Sequence, residues 1–148
     1  MTIDTPPTSR PATEDDVPFL LALRRQTMDP HLAASGADTS EAHHLERLRR
    51  GFEHARVLEL DGRPVGLLKV HRAPGEWEII QIQLGPELQG RGVGRALLQQ
   101  VIDEATAAGA GLRLGVLKAN PAKRLYERLG FVVVDETAHE YVMRRALR

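Results

Sequence analysis

The chain contains no cysteine. Disulfides, thiolate metal sites and a cysteine nucleophile are excluded with it. It has no surplus of charge either: Lys and Arg total 20, and Asp and Glu total 20. Nucleic-acid binders usually carry a basic excess, so no nucleic-acid partner is expected. No apolar run approaches the roughly 18 residues that mark a membrane span, so no membrane partner is expected. Met1-Thr-Ile-Asp-Thr-Pro-Pro has neither a basic region nor an apolar stretch. A secretory signal is therefore not expected, and a cytoplasmic location is the simplest reading. What is present is ordinary: 148 residues, 42% hydrophobic and 27% charged. That suits one domain able to bury its own core.

Residues 1–12 are rich in Thr and Pro and read as a flexible tail. Residues 13–148 read as one domain. Thr13 followed by three acids suits a helix start, and the helix runs to about Met28, with Pro30 expected to break or bend it. Asp38-Thr-Ser-Glu opens a second helix, with Leu45, Leu48 and Phe52 on one face. The period then changes to two. Val57 to Leu60 and Val65 to Val70 flank Asp61-Gly62, a hairpin signal. Trp77 to Leu84 is a third strand. A helix after Gly94 carries Val93, Ala96, Leu97, Val101, Ala105 and Ala108 on its apolar face. A strand over Leu112–Leu117, a short helix between Asn120-Pro121 and Gly130, and strands at Phe131–Val134 and Tyr141–Met143 complete the chain. The order ααβββαβαββ predicts an α/β (α+β) fold with a mixed sheet flanked by helices. A right-handed crossover sets Trp77–Leu84 parallel to Leu112–Leu117.

The informative stretch is Leu84-Gly-Pro-Glu-Leu-Gln-Gly-Arg-Gly-Val-Gly-Arg-Ala. A strand end feeds glycines, and these feed a helix N-terminus with free N–H groups and a positive dipole end, a site suited to phosphate. Neither Gly-x-Gly-x-x-Gly nor Gly-Lys-Ser/Thr occurs here, so the dinucleotide and P-loop signatures both fail. What remains is Gln89-Gly90-Arg91-Gly92-Val93-Gly94, a Gln-x-x-Gly-x-Gly pattern. Adjacent His43 and His44 point to different sides of a helix and no His-Glu-x-x-His pattern occurs, so no metal is expected. Arg47, Arg49 and Arg50 read as a solvated helix end.

The pattern resembles the pyrophosphate loop of the GNAT N-acetyltransferase superfamily. Asn120-Pro-Ala-Lys-Arg-Leu-Tyr-Glu-Arg-Leu-Gly-Phe131 resembles the family's later segment, and the resemblance extends over about residues 13–145. It implies a central, mostly antiparallel sheet of about six to seven strands and acetyl-CoA as cosubstrate. Gln89, Gly90, Arg91, Gly92, Val93, Gly94 and Arg95 would hold the pyrophosphate. Ile82, Leu84, Asn120, Lys123 and Tyr126 would line the pantetheine arm, with the Tyr126 hydroxyl at the thioester sulfur. From the residues alone, Asn120 is also a plain helix cap and Tyr126 also a core tyrosine. The implied reaction is direct attack of a primary amine in a ternary complex. Transfer of another acyl group, and a binding module that senses acyl-CoA without turnover, are the alternatives. A nucleotide-binding module is a third, disfavoured by the failed signatures.

The chemistry needs a neutral amine, a donor for the carbonyl oxygen and a proton for the leaving thiolate. The donor is expected among backbone N–H groups near Leu84, and the proton from Tyr126. The base is open: Glu78, with Glu76 beside it, and His139 are the candidates. Glu78, Ile80 and Ile82 share a side only if the strand is unbroken, whereas the family strand carries a bulge. Gln81 and Gln83 can only position substrate. His31 and His71 are candidates to line the acceptor pocket. Arg24, Arg25, Met28 and His31 would favour a carboxylate-bearing acceptor. The acceptor is a small-molecule or peptide amine. Homodimers are common in the family, and no residue here demonstrates one.

Overall fold

Asp61 and Gly62 both take positive φ, 51° and 76°, the backbone of a two-residue turn whose twist matches that of its strands. The turn joins β2 (Ala55–Leu60) to β3 (Arg63–Ala73). A second turn, with Gly75 at φ 81°, joins β3 to β4 (Glu76–Leu84). The computed structural model describes residues 6–147. The remaining elements are β1 (Thr8–Pro11), α1 (Val17–Ala34), α2 (Glu41–Arg49), α3 (Val93–Ala107), β5 (Gly111–Leu117), α4 (Lys123–Arg128), β6 (Val132–Glu136) and β7 (Glu140–Arg145). Seven strands form one sheet in the order β1-β2-β3-β4-β5-β7-β6. Only β4 and β5 are parallel; the other neighbours are antiparallel. The mixed sheet expected from the sequence is therefore present.

Several local expectations need correction. Residues 8–11 of the expected tail form β1 and pair with β2 from Thr8↔Glu59 to Pro11↔Arg56; residues 1–5 of that tail lie outside the described residues. Arg10 anchors β1 with a fork onto both Asp16 carboxylate oxygens at 2.8 Å. This pairing holds the Asp16 carboxyl down at about 2. Pro30 does not end α1, which runs on to Ala34. It removes one helical N–H, whose partner would be the Gln26 carbonyl on the exposed face, where water replaces it. On α2 the buried residues are His44 and Leu48, while Leu45 is exposed. On α3 the buried face runs through Leu98, Val101, Ile102 and Ala105, leaving Ala96 and Ala108 in solvent. Leu98 and Ile102 bury more apolar surface than the alanines, and that sets the rotation of the helix.

Each face of the sheet has its own core. Leu20, Leu23 and Leu48 of α1 and α2 pack on Val57 and Leu67. Leu98, Val101 and Ile102 of α3 pack on Val70, Ile79 and Leu112, joined by Tyr126 and Phe131. The end of α4 is specified locally. Gly130 sits at φ 97°, and Phe131 N donates to the Tyr126 carbonyl at 3.0 Å across it. This is the glycine-closed helix end that the sequence predicts, and it fixes Tyr126 and Phe131 together.

One buried charge ties the first face together. Lys69 is fully buried on β3. Its ammonium donates to the carbonyls of Leu48 and Arg50 at 2.8 Å, and to Arg47 at 3.4 Å. These are the orphan acceptors at the end of α2, where a cation is favoured. Burial, with Arg24 and Arg47 nearby, lowers Lys69 to about 8. A lysine lowered on folding stabilises the fold most above the unfolded pKa, and that contribution fades as pH falls through the folded value. Lys69→Met should therefore cost about 1–3 kcal/mol at pH 7, by stranding carbonyls. The gap to the wild type should widen as pH rises from about 8 to about 10.5. Urea unfolding of both proteins at pH 7 and pH 9.5 measures this; a gap that shrinks over that range contradicts it.

Candidate functional site

The site begins where the parallel pairing stops. β4 and β5 are in register from Glu76↔Gly111 to Ile79↔Leu114. Beyond that point β5 follows β7 out to Leu117↔Glu140, while β4 follows β3 out to Leu84↔Gly66. The sheet forks. One edge of β4 from Ile80 onward has no strand partner, so every second peptide there offers its N–H and C=O to the gap.

A bulge sits at the head of the fork. Val70 faces Ile79 and Lys69 faces Gln81, so Ile80 is the extra residue. The bulge shifts the side-chain alternation. Ile79 and Ile82 both pack on the α3 side. Gln81 and Gln83 lie opposite Lys69 and Leu67, on the α1 and α2 side. Glu78, opposite His71, therefore shares a side with Gln81 and is separated from Ile82.

A cavity of about 220 Å³ passes through the fork. Its floor is Gln81 and Gln83, its far wall Leu114 to Leu117 and its near wall Arg24 and Met28 of α1 with His43 and Arg47 of α2. Asn120 and Tyr126 line it, with His139 and Glu140 also in its wall. Tyr126 is 8% exposed and stands edge-on to Phe131, with ring centroids 6.0 Å apart. Its hydroxyl has no hydrogen-bond partner among the described residues. Burial pushes the phenol up to about 12, so it holds its proton throughout the neutral range. Asn120 Oδ1 accepts from Ala122 N at 2.9 Å, a cap on the turn that leads into α4. Lys123 Nζ lies 5.0 Å from the Tyr141 ring centre.

The glycine loop lies between β4 and α3. Gln89 Nε2 donates to the Leu84 carbonyl at 2.9 Å, which ties the loop back onto the strand end. Gly90 and Gly92 adopt φ 73° and 72°, the left-handed region that admits glycine without strain. Nothing lies within 4 Å of where a side chain on either would begin. No amide from Gly90 to Arg95 donates to an acceptor among the described residues; the first helical bond is Ala96 N to Gly92 O at 3.0 Å. Arg91 and Arg95 are exposed and form no ion pair among the described residues. A run of free N–H groups at a helix start, with two guanidiniums beside it, is chemically suited to an anion.

The other candidates fall in different places. Glu78 is exposed and opens onto an adjoining cavity with His71 and Arg113, away from Tyr126. Glu76 is bound to Arg144 at 2.6 Å. His139 lies in the Tyr126 cavity, its Nδ1 3.0 Å from the Ser35 carbonyl. His71 stacks on His54 outside that cavity, with ring centroids 4.4 Å apart, and His31 does not line it.

Two site residues escaped the sequence reading. Glu140 lines both cavities, and its carboxylate oxygen lies 3.3 Å from the Cβ position of Gly115. Pairing with β7 brings it there, and no local motif announces it. Arg47 differs from its neighbours. Arg49 and Arg50 pair in solvent with Glu14 and Glu46, whereas the Arg47 Nε is buried without a partner. Among the described residues no His, Asp or Glu cluster could hold a metal, and no helix is long and apolar enough to cross a membrane.

The model of the acetyltransferase (GNAT) family matches residues 20–131. Solved structures share the fold at low sequence identity. The PaiA N-acetyltransferase of Thermoplasma acidophilum, solved in complex with coenzyme A, is 18% identical and has a TM-score of 0.72. That match covers 96% of this chain and 99% of the other. Ard1 of Thermoplasma volcanium is 19% identical with a TM-score of 0.70, over 97% and 99% of the two chains. The ribosomal-protein-S18-alanine N-acetyltransferase of Escherichia coli is 22% identical with a TM-score of 0.68, over 96% of both. Since that family model covers most of its length, the chain belongs to the acetyltransferase (GNAT) family.

Proposed function

We propose that the protein is an acetyl-CoA-dependent N-acetyltransferase that moves the acetyl group to a primary amine by direct attack in a ternary complex. The fork between β4 and β5 carries this reading. It joins the glycine loop on one side of the sheet to a polar cavity on the other. The Thermoplasma acidophilum protein, solved with coenzyme A, supports the choice of cosubstrate. The loop offers N–H groups and Arg91 and Arg95 to a pyrophosphate. The free edge of β4, from Ile82 to Leu84, offers peptide groups to an amide-bearing arm. Asn120 and Lys123 flank that arm, and Tyr126 stands at its end.

The amine nitrogen attacks the thioester carbonyl carbon, the carbon–sulfur bond breaks, and one amine proton ends on sulfur. An amine with a pKa of ~10.4 is neutral about once in 2,500 molecules at pH 7, which costs about 4.6 kcal/mol. Glu140 is the carboxylate best placed to take the proton, because it lines the cavity with Tyr126. Glu78 reaches only the adjoining opening. Tyr126 does not act as a free proton source. Burial makes the phenol hold its proton more tightly than a free tyrosine does, which disfavours complete transfer to sulfur. The hydroxyl instead donates a hydrogen bond to the departing sulfur, and the amine's own proton completes the thiol.

Thiol release from acetyl-CoA against a panel of amines, run beside calorimetric titration with CoA, tests the reading. CoA binding with turnover on one amine class is expected. Binding without turnover would leave a sensing module, and absence of CoA binding would remove the reading of Gln89–Gly94. Tyr126→Phe should lower kcat about 100-fold with CoA affinity unchanged. Because the phenol stays protonated to about 12, the wild-type rate should show no falling limb from its ionisation below about pH 11. Gly92→Ala should destabilise the fold by about 1–2 kcal/mol through left-handed strain. Its methyl group would also occupy the phosphate cradle, so CoA affinity should fall at least about tenfold. Retained affinity would argue against phosphate at this loop.

A further inference from the structure

Arg24 is 3% exposed, yet it forms no ion pair and no side-chain hydrogen bond among the described residues. Its Nε is buried without a partner, and so are Arg47 Nε, both amide atoms of Gln81 and Gln83 Oε1. All four side chains line the cavity in the fork. A charge withdrawn from water normally has a counter-ion, and buried polar groups normally have partners. Here one cavity gathers unpartnered donors on two guanidiniums and on the Gln81 amide, with unpartnered acceptors on Gln81 and Gln83. Of the nearby carboxylates, two are engaged elsewhere, and the third, Glu140, stands across the cavity and forms no ion pair with Arg24. Asp29 is held by His44 at 2.6 Å and Glu46 by Arg50 at 2.6 Å. Glu140 lies in the β7 part of the lining, beside Gly115. Burial, with Arg47 beside it, lowers Arg24 to about 10, still charged at neutral pH. Burial, with Arg24 and Arg47 nearby, also pushes His43 below its ordinary value. The coenzyme phosphates do not answer this need, because the glycine loop opens on the opposite side of the sheet.

We propose that Arg24 and Arg47 bind a carboxylate of the acceptor, so that the substrate is a small amino acid-like molecule carrying its amine toward Glu140. This rests on the acetyl-transfer reading and narrows it. A planar guanidinium pairs with a carboxylate through two parallel hydrogen bonds. Gln81 and Gln83 supply the remaining amide contacts from the floor. The cavity, at about 220 Å³, has room for a molecule of amino-acid size and none for a folded protein surface beyond one side chain. The site is thus polar across its width: cationic at the α1 and α2 wall, anionic at the β7 edge.

The test uses CoA-saturated protein, titrated with the common α-amino acids and with the carboxamide of each. Binding is read on this complex by thermal shift and calorimetry, and acetylation by thiol release in parallel assays supplied with acetyl-CoA. At least one amino acid should bind and be acetylated about 10- to 100-fold better than its carboxamide, the usual worth of a charged hydrogen-bonded pair. Arg24→Met and, separately, Arg47→Met should raise KM for that acid by a similar factor. Both should bring the acid-to-amide ratio close to one, with CoA affinity unchanged. Unchanged CoA affinity also shows that each variant is folded. Equal binding of acids and amides by the wild type, a ratio that survives both substitutions, or no binding by any member of the panel would each overturn the proposal. Loss of CoA binding in the wild type would instead sink the acetyl-transfer reading beneath it.

Discussion

The site depends on one interruption of backbone pairing. Two parallel strands stay together for four residues each, Glu76–Ile79 against Gly111–Leu114, and then part. Separation leaves a row of peptide groups without a strand, a cost that water or a ligand must offset. The interruption persists because each strand keeps its other neighbour: β3 holds β4 out to Leu84, and β7 holds β5 out to Leu117. The bulge at Ile80 belongs to the same device. It bends β4 away and exchanges the sides on which Ile82 and Gln81 fall. An apolar lining thus faces α3 and a polar lining faces α1. The gap becomes a passage between two chemically different sides of one sheet.

The two buried cations behind that passage show what a satisfied charge looks like and what an unsatisfied one implies. Lys69 has no exposed surface and three carbonyls within 3.4 Å. It closes α2 and needs nothing more. Arg24 is buried to nearly the same degree, without a partner. Proximity to Lys69 and Arg47 makes its position more costly, since like charges repel in a medium that screens them poorly. A leucine or methionine at that position would pack without such a cost. Unpaired polar groups gathered in one cavity make it a candidate ligand site.

Most of the architecture was legible in the sequence, and the reason is local. Asp61-Gly62 specifies a hairpin through φ, Gly130 closes a helix through φ, and the glycines of the loop announce themselves before a helix start. None of these needs a distant contact to be read. The misreadings share the opposite property. Thr8–Pro11 is a strand only because β2 offers an edge. Pro30 is carried within α1 because the bond it removes lies on the solvent side. Leu98 and Ile102 displaced two alanines on the buried face of α3 once the sheet was there to bury them. In the site, Gln89, Tyr126 and Asn120 sit in recognisable local patterns. Arg47 sits among arginines that truly are solvated, and only the fold separates it from Arg49 and Arg50. Glu140 reaches the cavity through strand pairing, which leaves no trace in its own neighbours.

The division of the passage bears on the hardest step. On the α4 side, Tyr126 is surrounded by apolar side chains and burial holds its phenol neutral, surroundings that suit an uncharged thioester. On the α1 side, Arg24, Arg47 and Lys69 raise the local potential. A cationic wall disfavours a second cation, and so lowers the pKa of an ammonium brought against it. One carboxylate on the incoming molecule offsets only part of that wall. In the proposed acetyl transfer, an amine held within the field of that wall would have its proton loosened, and the ~4.6 kcal/mol of deprotonation at pH 7 would be reduced before any bond forms. On the proposed reading, the same charges that would select the acceptor would also prepare it, and a bound carboxylate would offset the cost of burying them.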